Sequence, residues 1–282
     1  MPEMFGTHHS KMLILLRHDD TAQVVIHTAN MIAKDWTNLT NGVWTSPLLP
    51  LLIPSAGAPR ADARTDDAPS PVGSGPRFKA DLLSYLRAYN AKRDVCRPLV
   101  ERLARYDFSA VRGALVASVP GRHDVEDEPE VTRWGWAGLR HALRAVPCRA
   151  GGGGGDTPEI VVQTSSIATL GPTDAWLRRT LFGALSASKN NDQDGGGGSG
   201  GDDAAGRPEF RVVFPTPDEI RASLDGYASG GSIHMKTQSA QQKKQLEYMR
   251  PLLCHWANDT QKGVCKFSSP LLPLPSPLPS FF

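Results

Sequence analysis

The sequence predicts an α/β fold, with helices flanking a mixed β-sheet, and three observations predict it. Short apolar runs of strand length recur along the chain: Leu13–Leu16, Val24–Ile26, Ile160–Val162 and Phe210–Phe214. Stretches with apolar residues at helical spacing lie between them, so the two patterns alternate instead of segregating. Hydrophobic residues make up 40% of a 282-residue chain, enough for one large or two ordinary domains.

In order, the first two apolar runs read as a pair of strands joined through Arg17–Gln23. Residues 31–50 read as a loop with a short helix. Residues 53–77, rich in Pro, Ala, Gly and Asp and without periodicity, read as a flexible insertion. Leu82, Leu83, Tyr85, Leu86 and Tyr89 mark a helix over 79–91, and Leu99, Leu103 and Tyr106 a second over 96–106. Val111–Val119 is β-prone and closed by Pro120-Gly121, and a domain boundary is placed just before it. Trp134–Leu143 reads as a helix, Ile160–Gln163 as a strand and Thr173–Leu185 as a helix. Phe210–Phe214 reads as a strand, Asp218–Leu224 as a short helix and Gln238–Trp256 as a longer amphipathic one. The glycine tracts 151–155 and 195–206 lack the Lys-Ser/Thr and helix start of a phosphate-cradling loop, so both read as insertions.

The net charge of +2 points to no partner by itself, so any basic surface must be local, as over Lys79–Arg105. The four cysteines, Cys96, Cys148, Cys254 and Cys265, show no C-x-x-C spacing and read as inert thiols of a reducing compartment. No apolar run reaches the roughly 18 residues that span a bilayer, so no membrane partner is expected. His8, His9 and His27 are joined by no carboxylate or Cys at ligand spacing, so neither metal nor other cofactor is expected.

The chemistry gathers at the start of the chain. On a strand, successive side chains alternate faces, so His9 and Lys11 point one way and Ser10 the other. If the first two runs pair, Asn30 arrives near the end that holds His9 and Lys11. An imidazole that can act as a nucleophile near neutral pH, a fixed positive charge and an amide suit attack on a phosphate diester.

H-x-K alone is common by chance; its surroundings are not. Phe5-Gly-Thr-His-His-Ser-Lys-Met, Val24-Val-Ile-His-Thr-Ala-Asn-Met, Asp35-Trp36 and Gly42-Val-Trp-Thr-Ser-Pro-Leu closely resemble tyrosyl-DNA phosphodiesterase of the phospholipase D superfamily. Phe78–Asn90, Val119-Pro-Gly-Arg, Gln163-Thr-Ser-Ser and Leu224-Asp-Gly-Tyr-Ala-Ser-Gly-Gly-Ser keep the same order, to about residue 260. The resemblance implies a phospholipase D-like fold of two pseudo-repeated domains, both partial here. The first spans 1–110 and the second 111–263, followed by a tail, 264–282, that is foreign to the family.

The resemblance also implies function: a nuclear DNA-repair phosphodiesterase, monomeric, that hydrolyses 3′-phosphotyrosyl and related 3′-end adducts of DNA. Its partners would be single-stranded or 3′-end DNA and a topoisomerase I-derived tyrosyl peptide. His9 would form a phosphohistidine, Lys11 would bind phosphate and Asn30 would support both. Phe5 resembles the family's base-stacking aromatic; core packing at the strand start is its plain alternative. Ser166-Ile167-Ala168-Thr169 matches a loop that contacts DNA phosphate, with Ala168 in place of the usual Gly and Thr169 in place of Ser.

Enzymes of this superfamily face two H-x-K motifs across a pseudo-twofold axis. His234-Met-Lys236, with Asn258 downstream, offers a second by count. It precedes the long helix, whereas the family's motif follows it, so His234 and Lys236 read as surface residues and the second half-site as missing. The chain as written is therefore expected to turn over little or not at all. From Ser268 onward only Ser, Pro, Leu and Phe occur, residues whose codons can all begin with two pyrimidines. The tail reads as a coding frame running through a pyrimidine-rich intron, or as a Pro-rich disordered end. Met1, close before the nucleophile strand, reads as a missing or mis-called N-terminus. A non-catalytic binder of single-stranded DNA ends is the alternative function; the Phe5–Met12 context argues against a lipid-acting enzyme.

Overall fold

The computed structural model describes residues 9–37, 39–53, 70–89, 95–129, 131–147, 158–189 and 208–255. Phe5, His8, Cys148, Cys265, Asn258, most of the 53–77 insertion, both glycine tracts and the 264–282 tail lie outside the described residues. The chain forms two compact units, Met1–Ala145 and Val146–Phe282.

In the first unit, β1 (Met12–Leu16) and β2 (Thr21–His27) pair antiparallel, with Met12 opposite Ile26 and Leu16 opposite Ala22. The turn is shorter than the sequence suggests. The Arg17 amide donates to the Thr21 carbonyl at 2.9 Å, and Asp20 takes a left-handed conformation, φ 57°, that Asp tolerates better than most residues. Asp19 braces the turn: bonds from the Arg17 guanidinium and the Thr21 hydroxyl hold its carboxyl down to about 2.

Residues 31–50 hold more than a loop with a short helix. After α1 (Ala33–Thr37), β3 (Val43–Thr45) and β4 (Leu49–Pro50) both add antiparallel to β2. Strands of two and three residues are too short to show a period in sequence.

Three helices follow: α2 (Gly75–Tyr89), α3 (Arg97–Leu103) and α4 (Gly135–Arg144). The even-numbered residues of β1 and β2 face α2. Ala22 and Val24, with Met12, Ile14, Leu16 and Ile26 against them, join Phe78, Leu82, Leu86, Leu103 and Phe108 in one core. Gly75 opens α2 where backbone passes backbone: a Cβ there would sit 1.8 Å from the Phe108 carbonyl oxygen.

Residues 111–119 form no strand. They run extended, with inner and outer residues alternating as in a strand, but pair in no ladder among the described residues. Val111 is fully buried in the first unit's core, and the segment packs with that unit. The division by contacts thus falls after Ala145, downstream of the boundary read before Val111.

In the second unit, β5 (Glu159–Gln163), β7 (Glu209–Val213) and β9 (Leu253–Cys254) form a parallel sheet in the order β5-β7-β9. A separate two-stranded parallel pair joins β6 (Ser166–Ile167) to β8 (His234–Met235). The 173–185 segment is realised as a π-helix, Leu177–Phe182, running into one turn of α5 (Gly183–Leu185). Phe182 stacks on Phe210 of β7, ring centres 3.8 Å apart.

Both α6 (Pro217–Ala222) and α7 (Ala240–Met249) begin with a reciprocal cap, Thr216 with Glu219 and Ser239 with Gln242. α7 is shorter than the 238–256 expectation. Pro251 lacks the amide that a continuing helix needs, so the chain tightens into a 3₁₀ turn, Arg250–Leu252, and then enters β9.

Candidate active site

The β1–β2 ladder carries one residue past β1, where the His27 amide donates to the Lys11 carbonyl at 3.1 Å. Lys11 and His9 therefore continue the outer face of the hairpin, away from the core. Ser10 faces the other way: its Oγ accepts from the Tyr85 hydroxyl of α2 at 3.1 Å. That bond anchors the strand end between His9 and Lys11. Tyr85 in turn shares a 2.8 Å hydroxyl contact with Tyr89, whose phenol is pushed up by burial and by Tyr85.

The structure brings His9 and Lys11 together. Lys11 Nζ lies 2.8 Å from His9 Nδ1 and 3.4 Å from Nε2, and donates to the His9 carbonyl at 2.9 Å. The ammonium thus lies within reach of both ring nitrogens, over the ring and not along either nitrogen's lone pair. His9 is exposed to solvent.

Asn30 follows β2 and is held by a partner not singled out in the sequence for that role. The buried Asp35 carboxylate of α1 accepts from the Asn30 backbone amide at 2.6 Å and from its side-chain amide at 2.8 Å, through one oxygen. The Trp36 indole donates to the Asn30 carbonyl at 2.8 Å, and Asn41 donates to the Asp35 carbonyl at 2.6 Å. His27, expected to be structural, is buried with its ring 5.3 Å from that of Trp36.

In the second unit, Ser166 and Ile167 form β6, and Ala168 and Thr169 follow it as loop. Ile167 is buried in that unit's core. Gln245 of α7, buried, pins the loop from both sides: its Nε2 donates to the Ala168 carbonyl at 2.8 Å, and its Oε1 accepts from the Leu170 amide at 2.8 Å. Gln242 Nε2 reaches Thr169 Oγ1 at 3.4 Å. His234 and Lys236 are exposed, as expected, but His234 is also paired: Ser166 Oγ and His234 Nδ1 lie 3.3 Å apart. Sequence reasoning missed both Gln245 and this contact, because each joins residues some seventy positions apart. Among the described residues no three His, Cys, Asp or Glu side chains gather as a metal site. Cys254 forms no disulfide among the described residues.

The family model described as "Tyrosyl-DNA phosphodiesterase" matches residues 1–269. The chain belongs to the tyrosyl-DNA phosphodiesterase family. Among relatives, tyrosyl-DNA phosphodiesterase 1 of Drosophila melanogaster is 33% identical over 239 residues, covering 83% of this chain and 36% of that protein. A probable tyrosyl-DNA phosphodiesterase of Schizosaccharomyces pombe is 26% identical over 300 residues, covering 90% of this chain and 51% of the relative. The crystal structure of the yeast tyrosyl-DNA phosphodiesterase superposes with a TM-score of 0.58 at 17% identity, over 89% of this chain and 53% of that one. The mixed α/β architecture is therefore the phospholipase D-like fold of the tyrosyl-DNA phosphodiesterases. The chain spans about half the length, or less, of these relatives. No helix among the described residues is long and apolar enough to cross a membrane.

Proposed function

We propose that this chain carries one half-site of a DNA 3′-end phosphodiesterase, acting on 3′-phosphotyrosyl and related adducts in the nucleus. The observation that carries the reading is the His9–Lys11 pair just before β1, on the outer face of the hairpin, 2.8 Å from nitrogen to nitrogen. The Lys11 ammonium rests against the His9 imidazole. An incoming phosphodiester offers Lys11 anionic oxygens in exchange, and charge-assisted bonds to those are the stronger ones. Moving Lys11 onto phosphate takes it off the His9 ring as the phosphorus arrives. His9 attacks phosphorus, the P–O bond to the tyrosyl oxygen breaks, and a phosphohistidine forms. Asn30, locked by Asp35, supports the strand end that presents the pair.

The leaving tyrosyl oxygen needs a proton, and water must later be activated to release His9. A positioned general acid contributes typically about 10²–10⁴-fold. His234-Met235-Lys236 is not assigned that task, because it precedes α7 rather than following it. The 282-residue chain as written accordingly turns over little or not at all. As the tyrosyl peptide's source we assign topoisomerase I adducts, by family.

The test is binding by the intact chain to a fluorescent single-stranded oligonucleotide bearing 3′-phosphotyrosine, across a salt series. The expected result is a salt-sensitive affinity that Lys11→Ala weakens. Affinity equal in wild type and Lys11→Ala would overturn the reading.

A further inference from the structure

Beyond the extended 111–119 segment the charges of the chain segregate. Residues 123–130 hold five acids, Asp124, Glu126, Asp127, Glu128 and Glu130, and no Lys or Arg. Residues 131–155 hold four arginines, Arg133, Arg140, Arg144 and Arg149, together with His141, and no Asp or Glu. In the first unit the acidic loop folds back onto α4. Arg140 and Arg144, four apart on one face of that helix, each take a glutamate of the loop. The Arg140 guanidinium pairs with Glu126 and donates to the Val125 carbonyl at 3.2 Å, and that of Arg144 lies 3.8 Å from Glu128. Between them the His141 ring bonds to the Asp127 backbone. Val125 is buried and fastens the loop to the unit.

Solvent meets the acids first. The side chains of Arg140 and Arg144 are 22% and 27% exposed, those of Glu126 and Glu128 51% and 63%. A polyanion approaching this face therefore meets carboxylates, with both guanidinium groups already committed to them. Two carboxylates that occupy two arginines of one helix face imitate neighbouring phosphates of a nucleic-acid strand, because the guanidinium fork accepts either anion. Ion pairs with partners this exposed add little net stability, so exchanging carboxylate for phosphate is cheap.

We propose that Arg140 and Arg144 of α4 form a phosphate-binding face for single-stranded DNA, masked by the chain's own Glu126 and Glu128. The acidic loop is an internal competitor: loop and strand cannot hold the same two arginines at once. The inference rests on the proposed function for its ligand, DNA, and uses no residue of the β1 half-site.

The experiment measures binding of a 5′-fluorescent single-stranded oligonucleotide to the full chain, by anisotropy across a salt series. Glu126→Gln/Glu128→Gln is expected to bind up to about fivefold tighter for each arginine released, the scale of one exposed charge pair. The plot of log affinity against log salt should steepen by about 0.7 for each, one phosphate contact on a single strand. Arg140→Gln/Arg144→Gln should bind like wild type, since its arginines are already occupied, yet should cancel the gain when combined with the two glutamate changes. A gain that survives loss of both arginines is a general charge effect and overturns the mask, as does no gain at all. Hydrogen exchange of the unaltered chain gives a second reading that needs no variant to fold. Saturating oligonucleotide should speed exchange over residues 124–128, where an ordinary ligand would slow it; slower or unchanged exchange overturns the mask. Lys11→Ala separates the two proposals. If it weakens binding while the glutamate variant matches wild type, the mask falls and the proposed function stands. If the glutamate variant shows its arginine-dependent gain while Lys11→Ala changes nothing, the half-site reading falls and the mask stands.

Discussion

Asp35→Ala is the substitution whose cost can be read most directly from the geometry. One buried carboxylate oxygen accepts two bonds from Asn30, at 2.6 and 2.8 Å. Bonds to a charged group contribute about 1.5–3 kcal/mol each. Asn30 itself is exposed, so water recovers part of that once the carboxylate is gone. The surviving loss is about one such bond, roughly 2–3 kcal/mol. For a unit of this size that lowers the melting temperature by roughly 5–10 °C. Asp35→Asn keeps an acceptor but not the charge, and should fall between wild type and Ala. The assay is urea and thermal unfolding of the intact chain followed by tryptophan fluorescence, since Trp36 itself bonds to Asn30. Loss of less than about 0.5 kcal/mol in Asp35→Ala, the level of an ordinary surface change, would refute the view that this carboxylate locks Asn30.

Three further outcomes follow from the structure. Gly75→Ala places a Cβ 1.8 Å from a backbone oxygen that cannot swing away, so it should destabilise the first unit by about 3 kcal/mol, read as a lower urea midpoint. Gln245→Leu leaves the Ala168 carbonyl and the Leu170 amide without their partner, and the Leu170 amide should then exchange with solvent at least tenfold faster by hydrogen-exchange mass spectrometry. Burial, aided by Arg144, holds the His141 ring below its ordinary value, so the folded chain takes up that proton less readily than the unfolded one. The stability contributed by the neutral ring is present above the ordinary value of 6.5 and is lost as pH falls below it, and His141→Gln should flatten the fall in urea midpoint between pH 7.5 and 5.5.

The hairpin that carries the candidate site is legible in the sequence because both of its signals are local. Apolar residues of strand length lie seven or so positions apart, and alternation alone separates Ser10 from His9 and Lys11. The amphipathic helix read over 79–91 is legible for the same reason, but it begins at Gly75, inside the stretch read as the 53–77 insertion, and ends at Tyr89. Val111–Val119 has the same alternation and stays extended, yet it joins no ladder among the described residues. Whether a strand finds a partner depends on distant chain, which a local pattern does not contain. The end of α7 was written in Pro251, which outweighs the apolar spacing that continues beyond it. Asp35 and Gln245 are polar residues whose importance comes from burial, and no composition or period marks which Asp or Gln will be buried.

The measurement that tests the central claim most directly is tyrosine release by the intact 282-residue chain from a 3′-phosphotyrosyl oligonucleotide, beside His9→Ala. The account predicts DNA binding with no sustained release above the His9→Ala level. Multiple turnovers that His9→Ala abolishes would contradict it, and would mean that this chain supplies its own second half-site.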